Sequence, residues 1–141
     1  MPLCAAGQFG TGASFGFSPA VRADGVTPAA DPHLPQPLWF KDYAVDVEQA
    51  DPDSMYTLYH AALAIRQESL TATRDTTAEQ VDMGDDVVAY TRAAVGGRVF
   101  TSITNFGNAP VALPDGSVVL ASGPLTPEGQ LPTDTSAWVI K

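Results

Sequence analysis

The sequence holds few groups of side chains that could do chemistry, and the neighbours of each decide its meaning. Gly12-Ala13-Ser14-Phe15-Gly16 spells G-x-S-x-G, the pattern that presents a serine nucleophile on a strained turn. Such a turn requires a buried strand before the serine and a helix after it. Here Gly7, Gly10 and Gly12 precede Ser14 and Phe17-Ser18-Pro19 follows, so neither requirement is met. The same glycines make a poor dinucleotide fingerprint, because no strand leads in and no βαβ unit follows. Asp82, Asp85 and Asp86 could in principle supply the paired carboxylates of a glycosidase. They surround Gly84 between two expected strands and read as an exposed turn. A second acidic run, Asp42, Asp46, Glu48, Asp51 and Asp53, lacks the glycine and terminal glutamate of a calcium-binding EF-hand loop. It reads as a solvated run leading into a helix.

Binding candidates are equally sparse. Trp39, Phe40 and Tyr43 form an aromatic cluster that could stack on a sugar, although anchoring a loop against an apolar surface is the plainer role. Trp138 alternates with Ile140 and reads as core. His33 and His60 have no catalytic partner at readable spacing, and two histidines are too few for a multi-histidine metal site. A lone cysteine, Cys4, excludes an internal disulfide framework and a cysteine-based zinc site. Its sequence neighbours are not electropositive, so no reactivity follows. No catalytic residue, metal or cofactor is expected from these residues.

The elements that would position these groups change character along the chain. Residues 1–37 hold five glycines and six prolines, and no helical or strand period survives among them. A loop of that length in a compact domain is unusual. From Met55 the pattern Met55, Leu58, Tyr59, Ala62, Ile65 follows helical spacing and predicts an amphipathic helix near residues 52–68. Asp51 is the expected N-cap, with Pro52 at the first helical position and Asp53 complementing the dipole. The apolar stripe of this helix must be covered by something. From about residue 79 the period shortens. Strands are predicted at 87–91, 99–106, 109–113, 117–121 and 135–140, with turns at Ala94–Gly97, Gly107-Asn108 and Pro114-Asp115-Gly116. This spacing indicates an antiparallel sandwich or meander.

Composition closes off other classes. The 141 residues carry 7 basic and 16 acidic side chains, a net charge of −9, which argues against a nucleic-acid partner or an anionic membrane surface. No stretch approaches the 18 apolar residues of a membrane span, and no secretory leader is visible, which reads as a cytoplasmic chain. With 45% hydrophobic residues a packed core is within reach.

Several of these stretches, in this order, resemble one protein family. They are His33-Leu-Pro-Gln-Pro37, Asp51-Pro-Asp-Ser-Met55, Tyr59 with Ala62-Leu-Ala-Ile-Arg66, Asp86-Val-Val-Ala-Tyr-Thr-Arg92, Ile103-Thr-Asn-Phe-Gly107 and Ser136-Ala-Trp-Val-Ile140. Together they are similar to the C-terminal region of α-glucosidases and oligo-1,6-glucosidases of glycoside hydrolase family 13, the α-amylase family. The likeness covers roughly residues 14–141. It implies a (β/α)8 barrel followed by a β-sandwich, and retaining hydrolysis of α-glucosidic bonds by a carboxylate nucleophile and a carboxylic acid/base. In the family those carboxylates, and a third aspartate, lie on barrel strands that precede the matched region. No Asp or Glu of this chain therefore inherits a catalytic role. Of a sugar-contacting loop at the start, Pro2-Leu3 survive while Cys4-Ala5 depart from the pattern. Met1 reads as an internal start or a truncated gene.

The expected fold is α+β: an irregular Gly/Pro-rich segment over residues 1–50, an amphipathic helix over 51–70 that corresponds to the last barrel helix, and a small antiparallel β-sandwich over 71–141. The expected function is that of a structural C-terminal β-domain of an α-glucosidase-type enzyme, inactive alone. Its expected partner is the missing barrel portion, or a second copy through the helix face. The alternative is a stand-alone carbohydrate-binding β-module for α-glucans or malto-oligosaccharides, carried by Trp39, Phe40 and Tyr43.

Overall fold

The computed structural model describes residues 42–71 and 77–141. The chain divides after His60 into two units. In the first, a short helix α1 (Val45–Ala50) stands within the stretch expected to be irregular. Its first turn closes from Glu48 N–H to Ala44 O at 2.9 Å, with no side-chain cap. The Glu48 carboxylate then accepts the backbone N–H of Tyr56 at 3.2 Å, in the first turn of the next helix. That hydrogen bond ties α1 to the start of the next helix, and Glu48, Gln49 and Ala50 are favourable helix formers.

Helix α2 (Met55–Ser69) occupies the stretch expected to be helical but starts later. Its cap is Ser54, not Asp51: the Ser54 Oγ accepts Thr57 N–H at 3.1 Å, and Ser54 O accepts Leu58 N–H at 3.0 Å. Asp51 instead turns the chain, its Oδ1 accepting Asp53 N–H at 2.9 Å. Aspartate can serve either purpose, and the spacing alone does not separate them. The last turn carries Arg66, favourable beside the helix C-terminus.

The second unit is built on one five-stranded antiparallel sheet. Its strands are β1 (Glu79–Val81), β2 (Val87–Ala93), β3 (Val99–Asn105), β4 (Ser117–Ala121) and β5 (Thr135–Ile140), in the order β1-β2-β3-β5-β4. The turn joining β2 to β3 needs its glycines: Gly96 and Gly97 lie at φ +77° and +74°, where side chains with a Cβ are strained. The ladder continues past β5, since Val99 and Lys141 exchange N–H···O bonds of 2.8 and 3.0 Å.

Register sorts the side chains onto two faces. Ala89 lies opposite Ile103, and Ile103 opposite Ala137. These join Val87, Leu131 and Val139 in one buried cluster, sealed by Val81, Met83, Val111, Leu113 and Leu125. Burial of Ile103, Leu131 and Val139 contributes on the order of 2 kcal/mol each. On the other face Ala94, Phe100 and Ile140 pack with Ile65 and Leu70 from and just after α2, and with Val119 and Trp138.

One expected strand is absent. Residues 109–113 make a single bridge, Val111 with Leu131, through two hydrogen bonds of 3.0 and 2.8 Å. Pro110 and Pro114 on either side have no N–H to extend a ladder. The layer over the inner face is therefore mostly loop, which makes the domain sandwich-like.

Candidate functional site

Gly12, Ser14, Gly16, Cys4, His33, Trp39 and Phe40 lie outside the described residues. Of the aromatic cluster, Tyr43 is described and is 64% exposed. Asp82, Asp85 and Asp86 are all exposed. They form the expected turn: Gly84 sits at φ +104° and its N–H bonds Asp82 Oδ1 at 3.1 Å. An open turn excludes no water from a reacting bond, and nothing there sets two carboxyl groups apart as acid and nucleophile. Among the described residues no group of three or more His, Cys, Asp or Glu could hold a metal ion.

The described residues line cavities at two places relevant to these candidates. One of about 230 Å³ is lined by Gln49, Tyr56, Thr57 and His60, with Tyr56 and His60 stacked at 6.3 Å between ring centroids. His60 is thereby placed beside an aromatic ring, not beside a proton-transfer partner. Thr57 is already engaged, its Oγ1 donating to Asp51 O at 2.9 Å. The other cavity, about 370 Å³, opens at the β2–β3 end and touches Glu79, Thr91, Arg92, Ala93, Arg98 and Val99. Strand alternation turns the Arg92 side chain to the face opposite Thr91 and Ala93. Arg98 is tied to its own turn, its Nε donating to Val95 O at 3.0 Å. Glu79 and Arg98 there oppose one another in sign, so the cavity has no single charge preference.

The sequence reading did not single out the outer sheet face. Tyr90 lies directly opposite Ser102, and Ser102 directly opposite Trp138. Trp138 packs edge-on to Phe100, with centroids 5.2 Å apart and planes at 66°. In the next row, Thr104 Oγ1 and Ser136 Oγ are hydrogen-bonded at 2.8 Å. The alternation in Val88 and Tyr90 was visible in sequence, but the row appears only once the register is known.

An α+β domain with one main helix and a five-stranded antiparallel sheet, lacking a catalytic constellation among its described residues, is thus the class defined. No family model and no curated protein matches the chain. Solved structures do. Trehalulose synthase MutB from Pseudomonas mesoacidophila MX-45 matches with a TM-score of 0.61 and 25% identity over 85% of this chain. A MutB variant in complex with the substrate sucrose matches with a TM-score of 0.60 and 25% identity, also over 85%. A variant soaked with trehalulose gives 0.62 and 24% over 89%. These are enzymes of glycoside hydrolase family 13, and the resemblance read from the sequence holds for the fold. The chain spans about a quarter of the length of the solved chains it matches, 24% in each of these three.

Proposed function

We infer that this chain is a C-terminal structural β-domain of an α-glucosidase-type enzyme of glycoside hydrolase family 13. In that role it packs on a catalytic barrel and stabilises it, while hydrolysis of α-glucosidic bonds belongs to the larger assembly. The observation that carries the reading is the pairing of coverage: 85% of this chain matches a sucrose-complexed MutB variant, of which it spans 24%. The ordered sequence stretches from Asp51 to Ile140 support the same placement. The exposed setting of Asp82, Asp85 and Asp86 supports a domain without its own reaction centre.

The test is an activity assay of the 141-residue chain with a chromogenic α-glucoside and with sucrose. No turnover is expected. Turnover that disappears in Asp82→Asn would overturn the reading, because it would place the chemistry on this domain.

A further inference from the structure

Pro114-Asp115-Gly116 leads from the inner-face loop into the edge strand β4 and sets a carboxyl group beside an unshielded backbone nitrogen. The Asp115 side chain is 91% exposed and pairs with Lys141 Nζ at 3.3 Å, a surface contact that holds it weakly. Gly116 has no Cβ to cover its own N–H, and the ladder does not take that N–H either. Ser117 faces Ile140 on the first rung of the β4–β5 pairing. Lys141 would face Gly116 on the next, but its backbone N–H and C=O are both bonded to Val99, at 3.0 and 2.8 Å. Among the described residues no hydrogen bond engages the Gly116 N–H. No other described aspartate precedes a glycine; apart from it, Asp24-Gly25 lies outside the described residues. Asp53 precedes the small Ser54, but the Ser54 N–H donates to Asp51 O at 3.3 Å.

Packing keeps the glycine in place. A Cβ there would lie 2.7 Å from Ile140 O and from Val139 Cγ1, so a side chain collides with β5. The fold thus maintains the residue pair in which a five-membered imide closes most readily. The Gly116 nitrogen bonds to Asp115 Cγ and gives up its proton, while the carboxyl hydroxyl leaves as water. Water then adds to the other imide carbonyl, that of the Asp115 main chain, and breaks its bond to the Gly116 nitrogen. The product is isoaspartate, its backbone one carbon longer through Cβ and Cγ. One water leaves and one returns, so no oxidant or reductant is needed. The extra carbon falls between the Val111–Leu131 bridge and the Ser117–Ile140 rung, beside Pro114, whose ring fixes φ. The register of β4 rests on its ladder with β5, its one partner in the sheet. We propose that Asp115 isomerises spontaneously to isoaspartate and that the longer backbone unfastens the edge strand β4 from β5.

Ageing the whole, folded chain by warming in mildly acidic buffer tests this, because the carboxylic acid is the form that loses water. A carboxyl methyltransferase specific for isoaspartate, supplied with radiolabelled S-adenosylmethionine, then marks the product. Label is expected to accumulate in the tryptic peptide 99–141, which is separate from the one that holds Asp24-Gly25. Asp115→Glu keeps the charge beside Lys141 but would have to close a six-membered imide. It should slow labelling of that peptide at least about ten-fold. The amides of Ser117–Ala121 should exchange with solvent deuterium faster in the aged chain, and at the unaged rate in aged Asp115→Glu. Undiminished label in Asp115→Glu overturns the proposal, because it places the isomer elsewhere in the peptide. So does label that forms only in denaturant, which would show that the fold keeps the Gly116 nitrogen away from Asp115 Cγ. Label in the folded chain with unchanged exchange in β4 also overturns it. None of these failures touches the family reading, which rests on fold and coverage.

Discussion

The side-chain amide of Asn105 donates to the carbonyl of Leu131, 26 positions further along the chain, at 3.1 Å. The same nitrogen lies 2.9 Å from Ala109 O and 3.1 Å from Pro132 O, and the Asn105 Oδ1 accepts Gly107 N–H at 2.9 Å. A fully buried amide at the end of β3 thus fastens two loops that cover the inner face. Asn105→Ala leaves these carbonyls and the Gly107 N–H without that partner. A loss of about 3 kcal/mol in unfolding free energy is expected from denaturant titration. Asn105→Asp should lose more, because an ionised carboxylate would face carbonyl oxygens that can only accept.

Gly116 and Gly129 offer a controlled comparison. Both have positive φ, +146° and +76°. A Cβ at Gly116 would come within 2.7 Å of Ile140 O and of Val139 Cγ1, whereas nothing lies within 4 Å at Gly129. Gly129→Ala should therefore cost about 1 kcal/mol, the conformational strain alone. Gly116→Ala adds a collision with the backbone of β5 and should cost at least about 2 kcal/mol. Thermal unfolding of the two variants checks the order, and a Gly129 variant less stable than the Gly116 variant would contradict it.

Ser54 acts in both directions at the start of α2. Its Oγ accepts Thr57 N–H and its hydroxyl donates to Glu48 O. Ser54→Ala should lower stability by about 1 kcal/mol and reduce the helical signal in far-UV circular dichroism on warming. Ser54→Asp keeps the acceptor and loses the donor, so it should fall between the two. Asp51→Ala should have a smaller effect than Ser54→Ala, the reverse of the order expected from sequence alone.

Met55, Tyr59 and Leu63 are spaced one turn apart along α2 and are 60%, 62% and 59% exposed. A stripe of this kind favours dye binding or association. Replacing all three with lysine should lower dye fluorescence, and any concentration-dependent association measured by sedimentation, while stability changes by no more than about 0.5 kcal/mol per site. An unchanged fluorescence would show that these side chains do not form an accessible apolar surface.

Local pattern made much of the β-domain readable. The spans of β4 and β5 agree with the structure to the residue, because both are runs of β-branched and apolar residues bounded by turn formers. The glycine-dependent turn after Ala94 and the acidic turn around Gly84 were readable for the same reason. What depends on partners was not. Pro110 and Pro114 reduce an apolar stretch to a single bridge, and the choice between Asp51 and Ser54 as cap turns on where Glu48 lies. Of the expected helix stripe, Ile65 reaches a buried cluster while Met55 faces solvent. The Tyr90–Ser102–Trp138 row joins residues from three strands, and alternation within a strand says nothing about which residue lies opposite.

The place of β5 between β3 and β4 also sets an order of events during synthesis. A ribosome delivers β1, β2 and β3 in sequence, and each can pair with the one before it as it emerges. When β4 emerges it has no neighbour, since its one partner in the sheet, β5, is not yet made. Ser117–Ala121 must wait, unpaired, until Thr135–Ile140 have cleared the exit tunnel. A message broken between codons 121 and 135 therefore yields a product whose β4 is complete and has no strand to pair with.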